Sequence, residues 1–169
     1  MSERLMKNFP IEYEGNTYWR SRSVAVVGFV FCKNEDGEWC VLLEQRGTGA
    51  PNENGKWCVI TGYLDYNEDG KMGVSRECKE ETGVDLRPEQ FTFDSVCFET
   101  TGEQNVCLRY TCILGGSKCT NDYPLTDQYN EEGETSDIKW VPISLLTSYV
   151  FAFDHEAMIP FISKKLGLL

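Results

Sequence analysis

Short apolar runs alternate with two stretches of helical spacing along this chain. Residues 23–32, SVAVVGFVFC, form an almost unbroken apolar, β-branched run, which predicts a buried strand. Asn34-Glu35-Asp36-Gly37 is a hairpin turn signal, and WCVLLEQR at 39–46 is the partner strand. Further strands are predicted near 57–60, 91–99, 105–114 and 138–141, with a short helix from 143. One long helix is expected to begin at Asp69 or Gly70, with Asp69 as N-cap, and to stop at Gly83 after Thr82. A second is expected near 154–166, where Ala157, Met158, Phe161, Ile162 and Leu166 show helical spacing. Loop 47–56, GTGAPNENGK, is glycine-rich, but a phosphate cradle needs a helix to follow and here a strand follows, so it reads as a rim loop. A polar, acidic loop fills 115–136. Residues 1–20 read as an N-terminal extension, hairpin or oligomer contact, and 21–169 as one domain.

Composition narrows the class. A chain of 169 residues with 41% hydrophobic and 25% charged residues is large enough for one well-formed core. The net charge of -11 speaks against a broad phosphate-binding surface, so nucleic acid is not an expected partner. It leaves room for a metal-dependent nucleotide pocket, because bound cations reverse the local field. No apolar stretch approaches a membrane span, and MSERLMKNFPIEYEG has no secretory h-region, so a cytoplasmic location is expected. The 8 cysteines show no zinc-knuckle spacing, and the single His155 cannot complete a Cys/His set, so buried free thiols are expected.

The candidate chemistry lies in residues 62–84, GYLDYNEDGKMGVSRECKEETGV. Helical positions three and four apart share a face, so Glu77, Glu80 and Glu81 project from one patch about a turn long. Carboxylates this close repel, and protonation or a bound cation relieves them. Hard divalent cations take such oxygen ligands and keep places for water and substrate phosphates. Arg76 can reach Glu80 and Glu68, and its two-pronged guanidinium would orient the cluster.

This segment resembles the signature of the Nudix hydrolases. Gly62, Glu68, Arg76, Glu77, Glu80, Glu81 and Gly83 occupy all of its fixed positions, and Val84 its last aliphatic one. Chance would produce these matches roughly once in a million sequences of average composition. Cys78 stands where an aliphatic residue is usual. More loosely, GKWCVITGYLD resembles the family's Trp strand before a Pro-Gly-Gly turn, with Ile60 and Thr61 replacing Pro and the first Gly. SDIKWVPISLL resembles the late strand and short helix, and AFDHEAMI the C-terminal helix start of ADP-ribose-type members and related transcription regulators.

The resemblance implies a mixed β-sheet sandwiched between helices, an α+β or α/β Nudix fold. It implies hydrolysis of a nucleoside diphosphate linked to another moiety, with Mg²⁺ or Mn²⁺ as cofactor and water attacking a pyrophosphate phosphorus. Glu80 and Glu81 are then metal ligands, Glu77 a third ligand or the base, and Thr61 a backbone-carbonyl ligand. Gly62, Glu68 and Gly83 support the site. The base lies in the signature helix or among Glu131, Glu132 and Glu134; Glu134 is chosen because it is nearest the Trp140 strand. Arg46 is a candidate phosphate contact, against a plain surface role. His155 reads as structural or capping, and Trp19, Trp57, Phe98 and Tyr110 as core rather than base-stacking residues. The expected partner is a small nucleotide, with a weak lean to ADP-ribose or a nucleoside diphosphate sugar; a homodimer stays open. Two other readings remain: a non-catalytic nucleotide sensor, and an isoprenoid diphosphate isomerase, which needs a reactive Cys in the pocket.

Overall fold

The computed structural model describes residues 9–98, 105–116, 119–128 and 133–169. Glu131 and Glu132 lie outside them, as do the side chains of Phe9 and Trp19. The first elements are β1 (Phe9–Tyr13) and β2 (Asn16–Arg20), an antiparallel hairpin that forms a sheet of its own.

A mixed sheet makes up the body. Its strands are β3 (Val24–Lys33), β4 (Trp39–Arg46), β5 (Trp57–Cys58), β6 (Ile60–Tyr63), β7 (Thr92–Phe98), β8 (Val106–Ile113) and β9 (Thr135–Pro142). The order β5-β4-β3-β8-β7 forms the main path, with β6 also pairing β3 and β9 pairing β4. The β3–β8 pair is parallel; the others are antiparallel. Helix α1 (Gly70–Thr82) and helix α2 (His155–Lys165) cover the two faces.

The apolar run in β3 follows from this double cover. Side chains alternate across a strand. Val26, Val30 and Cys32 join Val74 and Cys78 of α1, whereas Val27, Phe29 and Phe31 join Ile159 and Ile162 of α2. In β4, Val41 and Leu43 face α2 and Leu42 faces α1. By the same alternation Glu44 and Arg46 fall on the α1 side, near the end of the strand.

Some predicted elements needed correction. The strand expected at 57–60 is two short pieces, β5 and β6, which pair with different neighbours. β9 begins at Thr135, not 138, because its polar residues pair along β4. The short helix from 143 is a 3₁₀ helix, Ile143–Ser148. In α2 the buried face is His155, Ile159, Ile162 and Ser163; Ala157 and Phe161 point outward despite their helical spacing. The expected stripe lay about one residue off the buried face.

Candidate active site

The acidic wall grows from the ends of α1. Asp69 caps the helix by accepting from the backbone N–H groups of Lys71 and Met72, at 2.9 and 3.0 Å. Gly83 closes it in the left-handed region, φ 75°, and donates its N–H to the Lys79 carbonyl at 2.8 Å. Gly62 stands directly under the Glu77 carboxylate, where any Cβ would overlap it. Glycine here lets the carboxylate approach β6; a larger residue would push Glu77 off its place beside Arg76.

Arg76 is the hub of the wall. It donates to Glu68 through Nε (3.2 Å) and Nη2 (2.8 Å). Nη1 donates to both Glu77 Oε1 and Glu80 Oε2, each at 2.9 Å, and Nη2 also reaches the Tyr63 carbonyl at 2.9 Å. One planar cation thus fixes three carboxylates relative to the strand. Its hydrogen bonds are the main reason that Glu68 titrates below the usual carboxylate range.

Behind this wall lies a second acidic layer. Glu81 is buried, and its Oε2 accepts from the Thr61 N–H at 3.2 Å. Its carboxyl is also hydrogen-bonded to that of Glu44, which is 2% exposed in the middle of the sheet. Glu44 accepts from the Cys58 thiol at 3.1 Å and from the Thr135 hydroxyl. Burial raises the pKa of both carboxyls, and it holds the Cys58 thiol protonated as a donor. Glu77 is pushed up to about 7, chiefly by burial, with Glu80 and Glu134 adding repulsion against the pull of Arg76.

Among the described residues no group of three or more His, Cys, Asp or Glu side chains already forms a metal cage. Arg76 bridges Glu77 and Glu80, while Glu81 turns to Thr61 and Glu44. The donor chemistry nevertheless fits a hard divalent cation. The donors are carboxylate oxygens: Glu44, Glu77, Glu80 and Glu81 line one cleft, and Arg76 bridges only Glu77 and Glu80.

The wall opens into a cleft of ≈ 580 Å³. Arg46, Asn52, Tyr63, Asn105, Glu134 and Phe153 line its remaining sides. Arg46, 8% exposed, donates from Nε to the Asn52 carbonyl at 2.9 Å and from Nη2 to Asn52 Oδ1 at 3.3 Å. Its guanidinium lies over the Phe153 ring, 5.3 Å from the centroid. Glu134 stands beside this rim, its carbonyl accepting from the Gly47 N–H at 2.5 Å. The loop at 47–56 is thus a rim of the cleft, tied to the segment entering β9.

The structure brings Arg46, Thr61, Gly62, Arg76, Glu77, Glu80, Glu81 and Glu134 to the one cleft. Glu68 is not among its lining residues and acts through Arg76, and Gly83 sits at the far end of α1. His155 is buried under β6, its Nδ1 accepting from the Val59 N–H at 3.3 Å. Burial lowers its pKa to about 4, so it is a neutral structural acceptor. Trp57 and Tyr110 are core residues, whereas Phe98 is 62% exposed. All eight cysteines are free thiols, and none lines the cleft among its described residues. Sequence reasoning missed Glu44. A lone carboxylate at the end of the run VLLE was its only trace, and the bond to Glu81 crosses from sheet to helix.

The NUDIX domain family profile matches residues 22–162, and the chain belongs to that family. No curated protein sequence matches it. Among solved structures it is similar to the NUDIX domain of Shewanella oneidensis NrtR complexed with ADP ribose. That match has a TM-score of 0.69 and 22% identity, and covers 87% of this chain and 90% of that one. A bifunctional NMN adenylyltransferase/ADP ribose pyrophosphatase from Francisella tularensis, complexed with AMP and a Mn ion, gives a TM-score of 0.68 at 18% identity. There the match covers 86% of this chain but 42% of that protein. The M. Smegmatis Nudix hydrolase RenU matches over 95% of this chain and 96% of its own, with a TM-score of 0.63 and 16% identity. Among the described residues no helix is long and apolar enough to cross a membrane.

Proposed function

We propose that this Nudix hydrolase cleaves the pyrophosphate of a nucleoside diphosphate linked to a second group, ADP-ribose or a nucleoside diphosphate sugar being favoured. The observation that carries the reading is one cleft in which Glu77, Glu80 and Glu81 face Arg46 and Glu134. Glu77, Glu80 and Glu81, with the Thr61 carbonyl beside them and Glu44 behind, would hold Mg²⁺ or Mn²⁺. The bound cation would neutralise charge on the non-bridging phosphate oxygens. Arg46 binds a phosphate of the substrate, its guanidinium steadied by Asn52 and Phe153. Arg76 positions Glu77 and Glu80 and touches no substrate atom. Glu134, on the exposed rim, accepts the proton of the attacking water as the phosphoric anhydride bond breaks.

The lean in substrate rests on the AFDHEAMI segment and on the fold shared with the ADP ribose complex of NrtR. That neighbour also keeps a sensor reading alive, but the complete acidic wall gives hydrolysis its machinery here. An isomerase would need a cysteine facing the substrate, and Cys58 instead lies buried against Glu44.

The test is release of phosphate or nucleotide from ADP-ribose, NADH, diadenosine polyphosphates, nucleoside triphosphates and capped RNA, with and without Mg²⁺ or Mn²⁺. Cation-dependent cleavage of an ADP-ribose-like compound is the expected result. Tight binding without cleavage would move the protein to the sensors, and double-bond migration in an isoprenoid diphosphate to the isomerases.

A further inference from the structure

Phe153 is an aromatic residue in an unusual place. Its φ is 57°, the left-handed region in which a bulky side chain is uncommon. Such outliers persist where the surroundings fix them, and they gather at ligand sites. The fixing is visible here on both sides of the residue. The Trp57 N–H donates to the Val150 carbonyl at 2.9 Å, and the Ala152 N–H donates to the Trp57 carbonyl at 2.8 Å. On the other side His155 accepts from the Val59 N–H, and its ring meets Phe153 edge-on at 5.3 Å.

This scaffold does not bury the ring. Phe153 is 48% exposed, belongs to neither core cluster and faces the cleft. Burial in the core therefore does not explain the conformation, which holds the ring between His155 and Arg46 at the cleft. The order of groups then gives the cleft a polarity. Glu81 bonds Glu44, Arg46 follows two residues on along the same face of β4, about 7 Å away, and Phe153 lies against Arg46. Carboxylates that would hold a cation at one phosphate, then an arginine for the other, then an exposed aromatic ring match the two phosphates and the planar base of a nucleoside diphosphate in that sequence.

We propose that Phe153 is a specificity-determining platform on which the substrate's nucleobase stacks, so that the nucleoside end of the substrate points to the Arg46 side of the cleft. The leaving or second group then lies toward Tyr63 and Asn105, which meet through Asn105 Nδ2 and the Tyr63 hydroxyl at 3.3 Å. This rests on the hydrolase reading for its kinetic readout, though not for its binding readout.

The experiment compares wild type, Phe153→Ala and Phe153→Tyr, all checked by thermal melting. Two substrates are used: ADP-ribose, and a baseless diphosphate, phosphoribosyl diphosphate. AMP binding is measured in parallel by equilibrium dialysis. Phe153→Ala is expected to raise the KM for ADP-ribose and the Kd for AMP about tenfold, a single stacked base carrying roughly that factor. The baseless compound should lose less, only the share that the ring contributes by steadying Arg46, so the ratio of the two KM changes reports the stacked base, and Phe153→Tyr should restore base binding. Equal losses on both substrates would mean that the ring acts only through Arg46, and would overturn the platform. If wild type hydrolyses neither compound the hydrolase reading fails, and AMP binding alone decides. Unchanged or undetectable AMP binding would then overturn the platform too.

Discussion

Arg76 and Arg46 serve one cleft from opposite surroundings. Arg76 is saturated: it donates to Glu68, Glu77, Glu80 and the Tyr63 carbonyl and has little left for a ligand. Among the described residues Arg46 has no ion pair at all; a backbone carbonyl, an amide and an aromatic ring hold it. The same side chain type therefore does two jobs. Surrounded by carboxylates it is a structural clamp, and its charge is spent inside the protein. Held chiefly by neutral groups, with Glu44 as a longer-range partner, it keeps most of its charge for an incoming anion. The lesson is to ask what already compensates an arginine before assigning it to a substrate.

That contrast can be tested by variants, and the largest effect should come from the acidic wall. Glu80→Gln removes a ligand charge while keeping shape, and should lower cation-dependent turnover about 10³-fold with an unchanged melting curve. Normal activity in a folded variant would remove Glu80 from the metal site. Glu134→Gln should reduce kcat about 10²-fold with little change in KM, the pattern of a lost general base. A shift of the loss into KM would make Glu134 a binding residue instead.

The contrast between the arginines is sharpened by replacing each with methionine. Arg46→Met should raise KM about tenfold, as loss of one phosphate contact does, without loss of stability. Arg76→Met should do the reverse, lowering the melting temperature because it strands partly buried carboxylates. If both variants lose only substrate affinity, the clamp assignment is wrong.

The smallest effect concerns pH. Glu77 titrates at about 7 in the folded protein, against an ordinary value of 4.5. Folding therefore takes up protons between those values, and the contribution is complete below the lower one and lost as pH rises through the upper. In EDTA, the melting temperature should fall by up to roughly 10 °C across that window. Glu77→Gln should flatten the slope, and added Mg²⁺ should restore stability at the alkaline end. An identical slope in the variant would assign the effect to other carboxyls.

The two regions were also unequally legible in the sequence. The acidic wall is written on one helix and its preceding loop, so the spacing of Glu68, Arg76, Glu77, Glu80 and Glu81 displayed it directly. Asp69 and Gly83 marked the helix ends by cap chemistry alone. The Arg46 side is assembled from β4, the loop at 47–56 and the turn before α2, brought together only by folding. Arg46 was a candidate because it ends a strand, and Phe153 lies in the AFDHEAMI segment without having been singled out there, but Asn52 had no local pattern. Glu44 was hidden for a different reason. Its place among buried residues of β4 depends on a protonated thiol and a hydroxyl from β5 and β9, and no periodicity reports such partners. In α2 the apolar spacing was real, but which stripe was buried depended on the sheet beneath it.

The central claim is that Glu77, Glu80 and Glu81 together hold a divalent cation. Direct Mn²⁺ binding, followed by the electron paramagnetic resonance signal of the free ion, tests it without reference to any substrate. Wild type should take up Mn²⁺, and Glu77→Gln, Glu80→Gln and Glu81→Gln should each weaken uptake at least about tenfold with the fold intact. Equal Mn²⁺ binding by wild type and all three variants, or none by wild type, would contradict the account.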